Sequence, residues 1–337
     1  VIVRYACAVA LLFVILYEAK RVSGVPRTKP GSYCRKIRSE ILTKLIIDST
    51  CDLNEAMRKH PKLEYLPLNI IIDEKSYKDG IDIDLERVYE VMRKGEMPQT
   101  SQIDIASLLE ILDRNRQAKE DLIYLSFSSA MSGTHAVAHQ VFGMYREEYP
   151  EMKLTLIDSQ GGCGGASLAA IQALNLLDKG YSHDEVARTI QEIVAHTSYS
   201  FTIANLEWLQ KGGRINKVAS IIGDNLNVKP LLTVKAGKIV MDQLLRGHKR
   251  VYNRIIKKTV DHIGPYQEQL IVISHVGDPE IAQTLKEMLS AALPQASFVL
   301  LRVSAVLGVH LGIGGVGVFA LSHLPESYDK RPAFLEK

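Results

Sequence analysis

The chain has 337 residues, 46% hydrophobic and 23% charged, a balance that excludes a disordered, collagen-like or polytopic membrane protein. A length of this order suits about two domains and buries ~75% of the unfolded surface, so folding requires neither disulfides nor a structural metal. The formal charge of +3 divides into +7 over residues 1–45 and −4 over residues 46–337; a mildly acidic body argues against nucleic acid as a partner, because phosphate binding draws on clustered basic side chains.

Residues 5–17 form an apolar run of thirteen residues preceded by Arg4, shorter than the ~20 needed to cross a bilayer as a helix. No integral membrane span is expected. A signal peptide would need small residues after the run, and Glu18-Ala19-Lys20-Arg21 stands there instead. Residues 22–32 are rich in Gly, Pro and basic side chains without a period and form a linker. The chain opens on Val1, so residues 1–44 are taken as an extension. It is either a mis-assigned start, with the protein proper beginning near residue 41, or a weak hydrophobic anchor.

From Lys44 short apolar runs alternate with amphipathic stretches, the grammar of an α/β protein. Strands are predicted over 45–47, 65–72, 122–127 and 154–157, and helices over 53–59, 101–118, 134–149, 166–179 and 183–198. This order predicts a mainly parallel, three-layer α/β/α domain over 45–197. A smaller α+β domain is predicted over 198–322, and residues 323–337 are left as a tail. It has strands over 202–206, 270–274 and 298–303, helices over 251–263 and 279–293, and a hairpin of 231–234 and 239–241 around a Gly-containing turn.

Four cysteines, Cys7, Cys34, Cys51 and Cys163, are far apart in sequence and lack C-x-x-C spacing, which points to a reducing compartment and no structural zinc. His135 and His139 share a helix face, but Ala136 occupies the place of the zincin glutamate. Gly312-Ile313-Gly314-Gly315-Val316-Gly317 matches the dinucleotide fingerprint literally, yet the chain ends twenty residues later with Pro325 and Pro332 intervening. The βαβ context of that fingerprint is therefore missing, and close packing around His310 explains the glycines better.

Asp48-Ser49-Thr50-Cys51-Asp52 follows the first strand, where open α/β sheets place ligands; capping of the next helix is the alternative. Two hydroxyl clusters resemble each other, Thr100-Ser101-Gln102 and Ser128-Ser129-Ala130-Met131-Ser132-Gly133-Thr134. Ser101 with Asp104 fits a capping box. Two helix-start loops brought together would also receive a carboxylate or phosphate. Arg214 follows a Gly pair, and His310 sits among glycines.

In this order the segments resemble the DegV family, bacterial fatty-acid-binding proteins that include the binding subunit of fatty acid kinase. The resemblance spans residues 45–322 and rests on the residues from Ile47 to Leu53, Tyr77-Lys78-Asp79-Gly80, Thr100-Ser101-Gln102, the cluster from Ser128 to Thr134, Asp158-Ser159, Leu209-Gln210-Lys211-Gly212-Gly213-Arg214-Ile215 and His310-Leu311-Gly312-Ile313-Gly314. It implies a cytoplasmic carrier without catalytic residues, metal or cofactor, holding one long-chain fatty acid in an apolar tunnel between two domains. Thr100 and Ser132 are implied to hold the carboxylate within a network containing Arg214 and His310, with Asp48, Ser101, Ser129, Gly133, Asp158 and Ser159 in supporting loops. A separate ATP-dependent kinase is the implied partner, and the acyl phosphate it makes feeds phospholipid synthesis. Ile103, Ile313 and Cys163 depart from the family's usual residues. Two competing expectations are a small-molecule hydrolase or transferase built on the hydroxyl loops and Asp48, and a membrane-tethered interaction module built on residues 1–45.

Overall fold

The computed structural model describes residues 42–215 and 228–336, which fall within one compact unit beginning at Leu42. The apolar run over 5–17 and its linker lie outside the described residues. Chain order is β1 (Thr43–Asp48), α1 (Glu55–Arg58), β2 (Leu63–Leu66), β3 (Leu68–Ile72), β4 (Lys75–Lys78), α2 (Leu85–Arg93), β5 (Gln99–Ile103), α3 (Ile105–Gln117), β6 (Asp121–Ser126), α4 (Thr134–Glu148), β7 (Leu154–Asp158), α5 (Cys163–Asp178) and α6 (His183–His196). There follow β8 (Thr197–Thr202), α7 (Glu207–Lys211), β9 (Val228–Lys235), β10 (Lys238–Arg246), α8 (His248–Ile263), β11 (Leu270–His275), α9 (Pro279–Ala292), β12 (Ser297–Arg302), α10 (Ala305–Leu311) and β13 (Val316–Leu321).

The fold is α/β. A parallel four-stranded sheet runs β2-β1-β6-β7, and β6 is buried along its whole length, as expected of a parallel strand covered on both faces. A six-stranded sheet runs β10-β9-β8-β13-β11-β12 and is antiparallel except for β11 beside β12. The hairpin of β9 and β10 turns at Ala236-Gly237, both with positive φ, which suits the handedness of a tight hairpin.

A third, antiparallel sheet, β4-β3-β5, breaks two sequence expectations. The single strand predicted over 65–72 is split at Pro67, which has no N–H for a ladder and separates β2 from β3 into different sheets. Residues 99–103, expected partly as the start of a helix, form β5, with Thr100 opposite Ile70. Ser101 is therefore not a cap. Asp104 caps α3, accepting from the Ser107 amide at 3.0 Å. The strand predicted over 202–206 lies earlier as β8, where Thr, Tyr, Ser and Phe favour extended backbone over continuation of α6.

Helix α5 lies at the centre. Its residues from Gly164 to Leu177 are buried, and they share one core with Leu45, Ile123 and Ile157 of the parallel sheet and Phe201, Val272 and Phe319 of the six-stranded sheet. Gly164 permits this approach. A Cβ there would come within 2.5 Å of Phe319 Cδ2 and 2.6 Å of Val272 Cγ1. The end of the chain is docked on the same core. Tyr328 Oη accepts from the Leu270 amide at 2.9 Å, the Asp329 amide donates to Gln172 at 3.0 Å, and Phe334 stands edge-on to His60.

Candidate functional site

A cavity of about 420 Å³ is lined by Thr100, Ser132, Arg214 and His310 together with Ser101 and Gly133. Its volume falls within the range of small-molecule sites. The remaining wall is dominated by apolar side chains such as Phe127, Phe201, Val234, Ile239, Leu307 and Phe319, drawn from several separate elements. One polar edge and a greasy wall favour an amphipathic ligand.

Thr100 reaches the cavity from β5. Beside that strand the loop from Ser128 to Gly133 turns back on itself, with the Met131 and Ser132 amides donating to the Ser128 carbonyl at 3.1 and 3.2 Å. Ser132 Oγ donates to Thr134 Oγ1 at 3.0 Å and accepts from the Thr134 amide at 3.2 Å, which fixes the hydroxyl at the start of α4. A Cβ on Gly133 would strike Gln102 Oε1 at 2.4 Å. The two hydroxyl clusters therefore meet, one on a strand and one at a helix start. Ser128 Oγ donates to the Gly237 carbonyl at 2.7 Å, tying the turn of the β9–β10 hairpin to the same loop.

Arg214, just after α7, and His310, on α10, are brought together by helices packed through glycines. A Cβ on Gly212, after α7, would meet His310 Nδ1 at 2.3 Å, and one on Gly312, after α10, would meet the Trp208 indole at 2.5 Å. Gly312 also has φ of 75°, which ends α10 in the left-handed region. The glycine motif is thus the turn between α10 and β13, with no βαβ unit.

His310 Nε2 lies 2.8 Å from Thr100 Oγ1, and its Nδ1 is buried without a partner among the described residues. Burial, followed by the charge of Arg214, pushes this imidazole down to about 4, so it is neutral at pH 7. Arg214 Nη1 donates to the Gly212 carbonyl. Burial lowers the pKa of its guanidinium, and among the described residues no carboxylate offsets its charge. A half-buried cation without an internal counter-ion, flanked by hydroxyls, is a receptor for an anion.

The His310 environment carries a pH signature. The unfolded ring takes up a proton below about 6.5, whereas the folded ring resists until about 4, so stability contributed by this group is lost as pH falls through that window. In urea unfolding, the stability of wild type relative to His310→Gln is expected to fall by on the order of 2 kcal/mol between pH 7.5 and 4.5. A difference independent of pH contradicts the assignment.

Four of the predicted site residues lie elsewhere. Asp48 is buried and saturated, accepting from the Thr50 amide and hydroxyl at 3.0 and 2.5 Å, Tyr124 Oη at 2.9 Å and the Phe127 amide at 2.8 Å. It holds two loops together and does not line the cavity. Nor does the first loop cap the next helix, because Asn54 caps α1 while Ser49 Oγ accepts from the Leu68 amide. Ser129 and Asp158 brace each other through contacts of 3.2 and 2.5 Å, and Ser159 Oγ donates to the Gly161 carbonyl at 2.9 Å. His135 pairs with Ser126 at 2.7 Å, and no group of three His, Cys, Asp or Glu side chains suited to a metal gathers among the described residues. No described helix is long and apolar enough to cross a membrane. Sequence reasoning gave no role to Gln102 or Trp208, whose neighbours Gly133 and Gly312 are 31 and 104 residues away.

Residues 43–323 match a model of the DegV family, described as uncharacterised proteins. The DegV domain-containing protein CPE0026 of Clostridium perfringens is 32% identical over 285 residues, 84% of this chain and 98% of that protein. A fatty-acid-binding DegV family protein of Thermus thermophilus has a TM-score of 0.75 at 25% identity, with coverage of 84% of this chain and all of that one. The fold is also that of the fatty acid kinase B3 protein of Streptococcus pneumoniae, solved loaded with linoleic acid, at a TM-score of 0.75 and 23% identity over 84% of this chain and all of that one. DegV relatives thus include fatty-acid-binding proteins. Because the match spans all three sheets and the residues gathered at the cavity, the chain belongs to the DegV family.

Proposed function

We propose that this protein binds one long-chain fatty acid, with its acyl chain against the apolar wall and its carboxylate among Thr100, Ser132, Arg214 and His310. The cavity's lining is drawn from both the 45–197 and the 198–322 stretches of the chain. The observation that carries this reading is Arg214, a half-buried cation with no carboxylate to offset it among the described residues, in a cavity whose wall is mostly apolar. Tail burial supplies affinity, ~0.8 kcal/mol per methylene before the costs of ordering the ligand. The head group supplies orientation, since a buried carboxylate is costly unless charge-assisted donors fill its lone pairs.

The protein then acts as a carrier. It presents the carboxylate to a separate ATP-dependent kinase, whose ATP yields its terminal phosphoryl group to a carboxylate oxygen and leaves as ADP. The acyl phosphate so formed is activated for acyl transfer into phospholipid. Purified protein is expected to release close to one equivalent of long-chain fatty acid on denaturing extraction and mass spectrometry. Delipidated protein that neither rebinds such acids nor gains thermal stability from them would falsify the proposal.

A further inference from the structure

Two acids that do not line the cavity, each from one of the sequence motifs, converge on the helix that carries His310. Asp52, from the loop after β1, is fully buried, and its Oδ1 lies 3.4 Å from the Ser304 amide. Asp79, after β4, is 3% exposed, and its Oδ2 accepts from the Val306 amide at 3.0 Å. Both amides lie at the entry to α10. The Ala305 amide also faces Asp79. At the other end of α10, His310 meets Thr100 on β5. Val306 and His310 are four residues apart on this helix and so share a face.

The middle of α10 is seated directly on the protein. A Cβ at Gly308 would lie 3.2 Å from the Tyr89 ring of α2. The backbone of Asp79 is fixed in turn. Tyr65 Oη donates to the Asp79 carbonyl at 3.0 Å, and the Asp79 amide donates to Leu68 at 2.9 Å. A short helix gripped at its entry by two buried acids transmits any displacement there to its last turn.

Building on the proposed head-group site, we infer that Asp52 and Asp79 are positioning residues for His310, fixing through α10 the distance between its imidazole and Thr100. Neither acid lines the cavity, so neither contacts the ligand. Burial raises both carboxyls, Asp52 to about 7 and Asp79 to about 6, so the site disfavours charge, and an amide oxygen at position 79 keeps the acceptor that the Val306 amide needs.

The test compares Asp79→Ala, which removes the acceptor, with Asp79→Asn, which keeps one. Amide exchange of α10 and emission of Trp208, the single tryptophan, whose indole abuts Gly312, are read without ligand; palmitate affinity is read separately. Asp79→Ala is expected to speed α10 exchange and weaken palmitate binding by about tenfold, because a buried amide loses its acceptor. It should also shift Trp208 emission. Asp79→Asn should stay within about threefold of wild type.

Unchanged exchange and emission in Asp79→Ala, or equal damage from Asp79→Asn, overturns the inference. If Asp79→Ala does not fold, Ala305→Pro decides. Ser304 has ψ of 160°, the conformation a residue before proline prefers, and the first helical position tolerates proline while losing its amide donor. That variant should quicken α10 exchange by about threefold or more, and no change would refute the role. Since exchange and emission need no ligand, failure to bind palmitate would defeat the fatty-acid reading and leave the helix-positioning result standing.

Discussion

Arg214→Ala is expected to lose about 30-fold or more in affinity for palmitate while binding methyl palmitate almost as wild type does, because removing one partner of a desolvated charge pair costs about 2–5 kcal/mol and the ester carries no charge. The discrimination between acid and ester is the informative quantity. Arg214 has no carboxylate beside it among the described residues, so its loss strands no internal partner and the fold should persist. Matching calorimetric titrations with acid and ester read both numbers. If the variant still prefers the acid as strongly as wild type, the carboxylate is held by something other than this guanidinium.

The second large effect falls on stability. Gly164→Val places side-chain atoms where Phe319, Val272 and Ser274 already stand, at 2.5, 2.6 and 2.7 Å from the first added carbon. These neighbours belong to a sheet on one side of α5, while Leu45 and Ile123 of the core lie in the other sheet, so the helix has little room to retreat. Overpacking of this kind costs about 1–3 kcal/mol, occasionally more. The midpoint of urea unfolding should fall clearly for Gly164→Val and by less for Gly164→Ala. Unfolding curves that overlay wild type would mean that α5 does not seat this tightly.

Three strands of the parallel sheet, β1, β6 and β7, were legible because each carries a short apolar run set apart by amphipathic stretches, and the β9–β10 hairpin because Ala-Gly marks its turn. The third sheet was not. Gln99, Thr100, Ser101 and Gln102 have no apolar alternation, and their strand exists only because β3, some thirty residues earlier, offers them a ladder. The same blindness displaced the cap of α3 from Ser101 to Asp104.

At the site, residue chemistry was more informative than spacing. Thr100, Ser132, Arg214 and His310 were named through resemblance, and the fold brings them to one cavity. Asp48 and Asp158 share their motif character but spend their oxygens on amides and hydroxyls, some of them distant in sequence, a distinction no local pattern exposes. The grip of Asp52 and Asp79 on α10 was hidden for the same reason, since its partners lie more than two hundred residues away.

The most direct measurement is carbon-13 NMR of palmitate labelled at its carboxyl and bound to the protein, followed as pH is lowered. Held by Arg214 and two hydroxyls, the bound carboxylate should stay ionised well below the ordinary carboxylic range near about 4.3, and its resonance should move little between pH 7 and 4.5. A bound resonance that titrates like a free carboxylic acid, or the absence of any bound resonance, would contradict the account.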